Sequence, residues 1–557
     1  MASEIDLWLR NGGVVVVASD RAARALASNF HCARQAEGLR AWPTPKIFDW
    51  KSFVRDAWLE YSSPDRGADP RLLLNPIQEE ALWEHVAGED RSLATLLEAP
   101  RHRLATLAIQ AHERICAYAP RFLQSAARTA WTQDAAAFSR WLAAFDQLCG
   151  EGNLLASSCL PLKVLPLLEA DAPSRPPLLL VGFDRILPTQ RAFFDAWGDW
   201  REPEPREPAD ELNFYEAADA QSELAACALW CRSQLDADPA ARLLVVAQAA
   251  SAQRGQIERA FSRHLGSASL FEFSLGVSLS QIALAKAAHM LLRWLTGSLQ
   301  EREVDWLFST GFAAADSREN AALQAQMRAL RRRGLERPQW TLLAFLSQRS
   351  EVMPAAWVER MIAAQRLLAE MRRPRSPLDW AELVPRLLEE LHFGGAQKQT
   401  SAEFQAAHRW VQAVEACGSL GFDGRRISWK EFLSHLGRAL DETLFAPESH
   451  DAPILIAGPA ESAGLVTDSV WFLGADEDSW PAGGAAHPLL PIEVQREAGM
   501  PHATAQLDGE LAEVVTRRLV ASGRQVNFSY AKQNDAAEAR PSRLIARMAG
   551  CTAIGPE

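Results

Sequence analysis

The chain has no long apolar run. Nothing in its 557 residues approaches the roughly 18 consecutive apolar positions that a membrane span needs. The opening Met1-Ala2-Ser3-Glu4-Ile5-Asp6 is acidic and lacks the basic, apolar and small-residue order of a signal peptide, so a cytoplasmic protein with no membrane partner is expected. Cysteine is sparse. The eight stand at 32, 116, 149, 159, 227, 231, 417 and 551, with no CxxC pair and no spacing that suggests a closed metal site, so neither redox nor metal chemistry is expected. Cys227 and Cys231 are one helical turn apart on an apolar face, which predicts burial rather than ligation. Positive charge is not in excess either. A net charge of −12 argues against coating nucleic acid through bulk electrostatics, although a local basic groove stays compatible with it. There is no HExxH, no GxSxG, no Cys-His pairing in sequence and no GxxxxGK[ST].

What is present is the alternation of an α/β chain. Val14 to Val17 is a continuous β-branched run followed by Ser19-Asp20 as a helix start and helical residues 21–34. From about 72 to 168 the apolar spacing turns to 3.6 residues, as at Leu104, Leu107, Ala108, Ala111 and Ile115 and at Phe138, Trp141, Leu142, Phe145 and Leu148. Pro173, Pro176 and Pro177 mark the return to a strand at 178–181, and Glu202-Pro203-Glu204-Pro205 with Pro208 reads as a linker. A second round follows: a helix at 220–235, a strand at 243–247, a long helical region at about 281–444, then strands at 453–457, 470–473 and 525–529.

Several strings carry a family resemblance. Residues 14–24 (VVVVASDRAAR), 41–47 (AWPTPKI) and 78–83 (QEEALW) resemble the N-terminal part of the AddB/RecB-like group of DNA repair proteins, built on the superfamily 1 helicase motor. Residues 464–468, 470–475 (VWFLGA) and Trp480-Pro481 resemble that group's second motor domain, and 488–491, Gln495-Arg496, Ser529-Tyr530 and 541–545 (PSRLI) continue the likeness. The resemblance spans nearly the whole chain and is weakest in its helical middle. It implies two RecA-like parallel-sheet domains, each interrupted by a large helical insertion. The expected division is 1–55 with 170–205 for the first, 56–169 for its insertion, 206–280 with 446–557 for the second, and 281–445 for its insertion.

The positions where such a motor handles nucleotide hold other residues. The phosphate loop should follow the first strand with glycines, a Lys and a Ser or Thr, and the chain has Ala18-Ser19-Asp20-Arg21, where Ser19 and Asp20 read as a helix cap. Counting back from Gln190, which resembles the motif Gln of these helicases, the Asp-Glu that would hold Mg²⁺ and polarise water falls on Val181 and Gly182. The family often shows Gly-Phe here, as in Gly182-Phe183. Counting back from Ser529-Tyr530 puts Ala521 where active motors place an arginine finger, with Arg517, Arg518 and Arg524 nearby. Neither ATP nor Mg²⁺ is therefore expected as a cofactor, and no catalytic residue is assigned.

The family usually continues into a PD-(D/E)xK nuclease, which is expected to be missing from this chain; Asp49-Trp50-Lys51 matches the bare tripeptide but reads as a helix start. Asp476-Glu477-Asp478 reads as an exposed acidic loop. Candidate DNA contacts are Trp42, Lys46 and Trp50, near the segment that touches single strands in related helicases, and the basic cluster Arg331, Arg332 and Arg333, with Arg372, Arg373 and Arg375 as a second. Solvated helix faces beside Glu336 and Glu370 account for the arginines equally well. The expectation is an ATPase-inactive arm of a helicase–nuclease that grips single-stranded DNA or a duplex end and positions a nuclease domain and a motor subunit. The competing readings are a divergent active ATP-dependent helicase or exonuclease subunit, and a protein-binding scaffold without DNA contact.

Overall fold

The computed structural model describes residues 4–61, 71–90, 98–170, 175–335, 337–371, 373–397, 400–446, 452–465, 467–534 and 537–553. Pro173, Glu336 and Arg372 lie outside the described residues. The chain forms two compact units: residues 1–74, 82–274 and 449–557 in one, and 75–81 with 275–448 in the other.

The first unit is mixed α/β and, among the described residues, holds two main sheets and a two-residue pairing of Leu72–Leu73 with Leu154–Leu155. The smaller has β1 (Val14–Val17), β2 (Ile47–Asp49), β3 (Leu178–Val181) and β4 (Trp200–Arg201) in the order β2-β1-β3-β4, all parallel. Its apolar runs are continuous because both faces are covered. Val14, Val16, Leu178 and Leu180 pack on Phe53, Trp58 and Phe193, while Val15, Val17, Leu179 and Val181 pack on Ala22 and Ala23 of the Asp20–Ala36 helix.

The larger sheet contains β5 (Glu211–Asp219), β6 (Leu243–Ala247), β7 (Phe271–Phe273), β8 (Ile454–Ala457), β9 (Ser469–Leu473), β10 (Gln525–Asn534), β11 (Ala537–Glu538) and β12 (Cys551–Ala553). The order is β12-β5-β10-β9-β6-β8-β7, parallel throughout, with β11 antiparallel to β10. One face packs on Cys227, Cys231, Ile257 and Phe261, so the two cysteines of the Ala220–Ala237 helix are core residues with no exposed surface. The other face packs on Val515 and Leu519 of the Ala505–Val520 helix.

The helices Glu98–Tyr118, Gln133–Glu151 and Leu160–Ala170 belong to this same unit. The second unit is helical, and its entry and exit segments pair antiparallel, Val277 with Phe445 and Ser278 with Leu444. Among the described residues no helix is long and apolar enough to cross a membrane.

Candidate functional site

In open parallel sheets ligands collect at the carboxyl ends of the strands, where successive connections leave in opposite directions. Both sheets of the first unit present those ends to one cavity of about 770 Å³. Ser19 follows β1, Lys51 follows β2 and Gly182 follows β3 on one side; Gln248 follows β6, Ala460 follows β8 and Trp480 follows β9 on the other.

The backbones of the two sides approach closely at two glycines. Gly182 has φ +77°, and a Cβ there would sit 2.6 Å from the backbone nitrogen of Gly464 and 2.8 Å from the carbonyl carbon of Ala463. Gly464 has φ +78°, and a Cβ on it would sit 3.5 Å from the Ala22 Cβ and 3.4 Å from Val181. The main chain after β8 therefore runs against the end of β3 and passes close to Ala22 in the first turn of the Asp20–Ala36 helix. That helix start is also satisfied internally. Ser19 Oγ accepts from the Ala22 N–H at 3.2 Å, Asp20 pairs with Arg24 at 3.0 Å, and Arg21 is ion-paired with Glu272. Ala18 donates its N–H to the Val181 carbonyl at 3.3 Å.

Arg518 is bonded to two residues of the cavity wall, Asp184 and Pro459. Ala521 caps the end of the Ala505–Val520 helix, its N–H pointing back to the carbonyls of Arg517 and Arg518. One turn earlier, Arg518 grips Asp184 in a fork, Nε to Oδ1 at 2.6 Å and Nη2 to Oδ2 at 3.0 Å. It also donates to Ser462 Oγ at 3.1 Å and to the Pro459 carbonyl at 2.8 Å. The pair is largely buried, at 18% and 15% side-chain exposure, so removing one partner strands a charge. Arg518→Ala is expected to destabilise the protein by about 2–4 kcal/mol. Adding Asp184→Ala should cost much less than the sum of the two single changes. Urea midpoints of the four proteins in the cycle check this, and strict additivity would mean the fork is not formed in solution.

The charges around the cavity oppose a polyphosphate. Asp20, Asp49, Asp184 and Asp508 line it against Lys51 and Arg185. Each carboxylate already has work within the protein. Asp49 accepts from the Lys51 N–H at 3.0 Å at the start of the Trp50–Tyr61 helix, and Asp508 holds the His502 N–H at 3.0 Å and its Nδ1 at 3.2 Å. Gln190, the motif-like glutamine, uses its Oε1 to accept from the Leu187 N–H at 2.9 Å.

No family model matches the chain, and no curated protein does.

Of the sequence candidates, Trp50 lines the same cavity but sits edge-on to Phe193 and Phe194 at 5.3 and 5.2 Å, anchored in the core of the small sheet. Trp42 donates its indole N–H to His31 Nδ1 at 2.8 Å, and Lys46 is exposed, its carbonyl accepting from Val15. Arg331, Arg332 and Arg333 end the Ser317–Arg332 helix in the helical unit; Arg331 is held by Glu301 and Asp305, and Arg332 lies on its own helix. Asp476 differs from the exposed loop expected. It is buried, accepting from the backbone N–H groups of Asp478 and Ser479, while Glu477 faces Arg540 and Arg543.

Three further features stand out, of which only Arg373 in the first was singled out in the sequence. The helical unit contains a groove of about 1130 Å³ lined by Arg293, Arg373, Lys430 and Arg438 against the single carboxylate Asp441. On the Ala220–Ala237 helix, Glu223 is buried against the larger sheet, accepting from the Gly474 N–H at 2.9 Å and Ser529 Oγ at 2.6 Å; burial holds its carboxyl above the usual range. In the first unit His112, Cys116 and Cys159 converge. The hydrogen bond that Cys159 shares with Cys116, with His112 alongside, pulls the Cys159 thiol well below its ordinary value.

Proposed function

We propose that this chain is a DNA repair or recombination protein: an ATPase-inactive, superfamily 1 helicase-like scaffold of two RecA-like domains that binds DNA and positions a nuclease or motor partner. The observation that carries the reading is the close backbone approach of Gly464 to Gly182, which leaves no room for a side chain at the position where a motor would carry the carboxylate that polarises water. The engaged Arg518 and the four cavity aspartates support the same conclusion, since neither a free finger nor a positive phosphate cradle is left. Support for DNA is the local excess of basic side chains in the groove of the helical unit, set against a net charge of −12.

Titration with Mg-ATP should release no binding heat. Fluorescence anisotropy with single-stranded and forked DNA should show affinity that falls as salt rises. Arg373→Glu and Lys430→Glu, both at exposed positions, should each weaken binding and lower the salt slope by about 1. ATP heat would point instead to a divergent motor, and absence of DNA binding at low salt to a scaffold for proteins alone.

A further inference from the structure

The fold gathers His112, Cys116 and Cys159 into one cluster whose ligand atoms all lie within 4.8 Å of one another. His112 and Cys116 are one turn apart on the Glu98–Tyr118 helix, and Cys159 ends the short turn Ser157–Cys159. A zinc ion binds thiolate sulfur at about 2.3 Å and imidazole nitrogen at about 2.0–2.1 Å in a tetrahedron, which sets the sulfur–sulfur edge near 3.8 Å and the sulfur–nitrogen edge near 3.5 Å. Here Cys116 Sγ lies 3.7 Å from Cys159 Sγ, and Cys159 Sγ lies 3.4 Å from His112 Nε2.

The surroundings fix those atoms. His112 Nδ1 is 3.2 Å from Ser158 Oγ, so the nitrogen away from the cluster is hydrogen-bonded and Nε2 is turned toward the sulfurs, the arrangement that orients metal-bound imidazoles. The ring is fully buried and held by Trp83 and Phe145, with centroids 5.7 and 5.6 Å away. Thr189 Oγ donates to the Cys116 carbonyl at 2.6 Å, tying that turn of helix to the Pro188–Trp197 helix. Cys159 is partly exposed, while His112 and Cys116 are buried.

We propose that His112 Nε2, Cys116 Sγ and Cys159 Sγ bind a zinc ion. Binding replaces the two thiol protons, which leave to solvent, with two metal–sulfur bonds, so no oxidant or reductant takes part. Three protein ligands leave a fourth position for water. The ion would staple the Glu98–Tyr118 helix to the turn at Cys159. This inference stands apart from the proposed role in DNA repair, and its test reads neither DNA nor nucleotide.

The full chain, stripped with a chelator and titrated with cobalt(II) under argon, should take up one equivalent with a thiolate-to-metal charge-transfer band that zinc then bleaches. Cys159→Ser and Cys116→Ser should each abolish the band or weaken binding by at least about tenfold, while Cys32→Ser, at an exposed position in another part of the fold, should leave it unchanged. Far-UV circular dichroism confirms that the serine variants are folded. Zinc should also raise the melting temperature of the wild-type protein and not that of Cys159→Ser. The proposal is overturned if the folded wild-type chain gives no charge-transfer band, or if Cys159→Ser keeps it.

Discussion

Replacing Gly182 by alanine should be among the most damaging single changes in the sheet-bearing unit. The backbone there is left-handed, φ +77°, which costs a side chain of its own accord about 1–3 kcal/mol. The new methyl would also meet the Gly464 nitrogen at 2.6 Å and the Ala463 carbonyl carbon at 2.8 Å, main-chain atoms that cannot rotate aside. Overpacking of that kind adds about 1–3 kcal/mol, for a total of about 4 kcal/mol. Gly38→Ala isolates the first contribution, because Gly38 has φ +79° and nothing within 4 Å of its would-be Cβ. Gly464→Ala should fall between the two, since its neighbours are side chains at 3.4 and 3.5 Å. Urea midpoints rank the three. If Gly182→Ala costs no more than Gly38→Ala, the two main chains do not touch in solution, and the case against nucleotide binding loses its main support.

Mild acid should be the second large effect. His487 is buried, its Nδ1 accepting from the Leu489 N–H at 3.3 Å, and desolvation with Arg114 nearby lowers its pKa to about 4. His289, in the helical unit, donates Nε2–H to the Leu433 carbonyl at 3.1 Å and is likewise lowered to about 4, mainly by burial. Between the ordinary value of 6.5 and about 4 the unfolded chain binds more protons than the folded one, so stability rises with pH across that window. The contribution is fully present above the unfolded value and is lost as pH falls toward the folded one. Each histidine should remove up to about 3 kcal/mol, a large share of the about 5–15 kcal/mol that holds a typical domain. Thermal melts from pH 7.5 to 4 should show both units weakening. His487→Gln and His289→Gln should each flatten the curve of the unit that carries the substitution, and an unchanged slope would mean that these rings are already charged in the fold. Glu223 acts in the opposite sense: its raised carboxyl favours the folded state at low pH and loses that contribution as pH rises through the folded value.

The strands that were plain in the sequence are those with both faces covered. The runs at 14–17, 178–181 and 243–247 become β1, β3 and β6 residue for residue. Glu211–Asp219 was not legible because its residues mix exposed polar and buried apolar positions without a clean alternation. Phe271–Phe273 is only three residues long. At the candidate site the difficulty was of another kind. Gly182 reads along the chain as a missing carboxylate, yet its partner Gly464 is almost three hundred residues away and only the folded chain shows why a side chain is excluded. Likewise it is Arg518, not a residue at the Ala521 position, that bonds the cavity-lining Asp184, because counting along a motif does not say which turn of a helix faces a given neighbour. His112 and Cys116 share a helix face, but Cys159 follows 43 residues later at no recognisable spacing.

The clasp formed by Val277–Ser278 and Leu444–Phe445 has a consequence for how such a chain changes over generations. The strands on either side of the helical unit, β7 and β8, are themselves neighbours, Ile454 beside Phe271. Because β7 and β8 run parallel, the whole excursion is to the sheet one crossover connection, and with the ends of the insert held together by the clasp, the entropy of placing β8 beside β7 depends little on how many residues lie beyond it. An insert tethered in this way can lengthen, shorten or be exchanged for another while the sheet keeps its register. The helical unit is thus the part of the protein best placed to diversify.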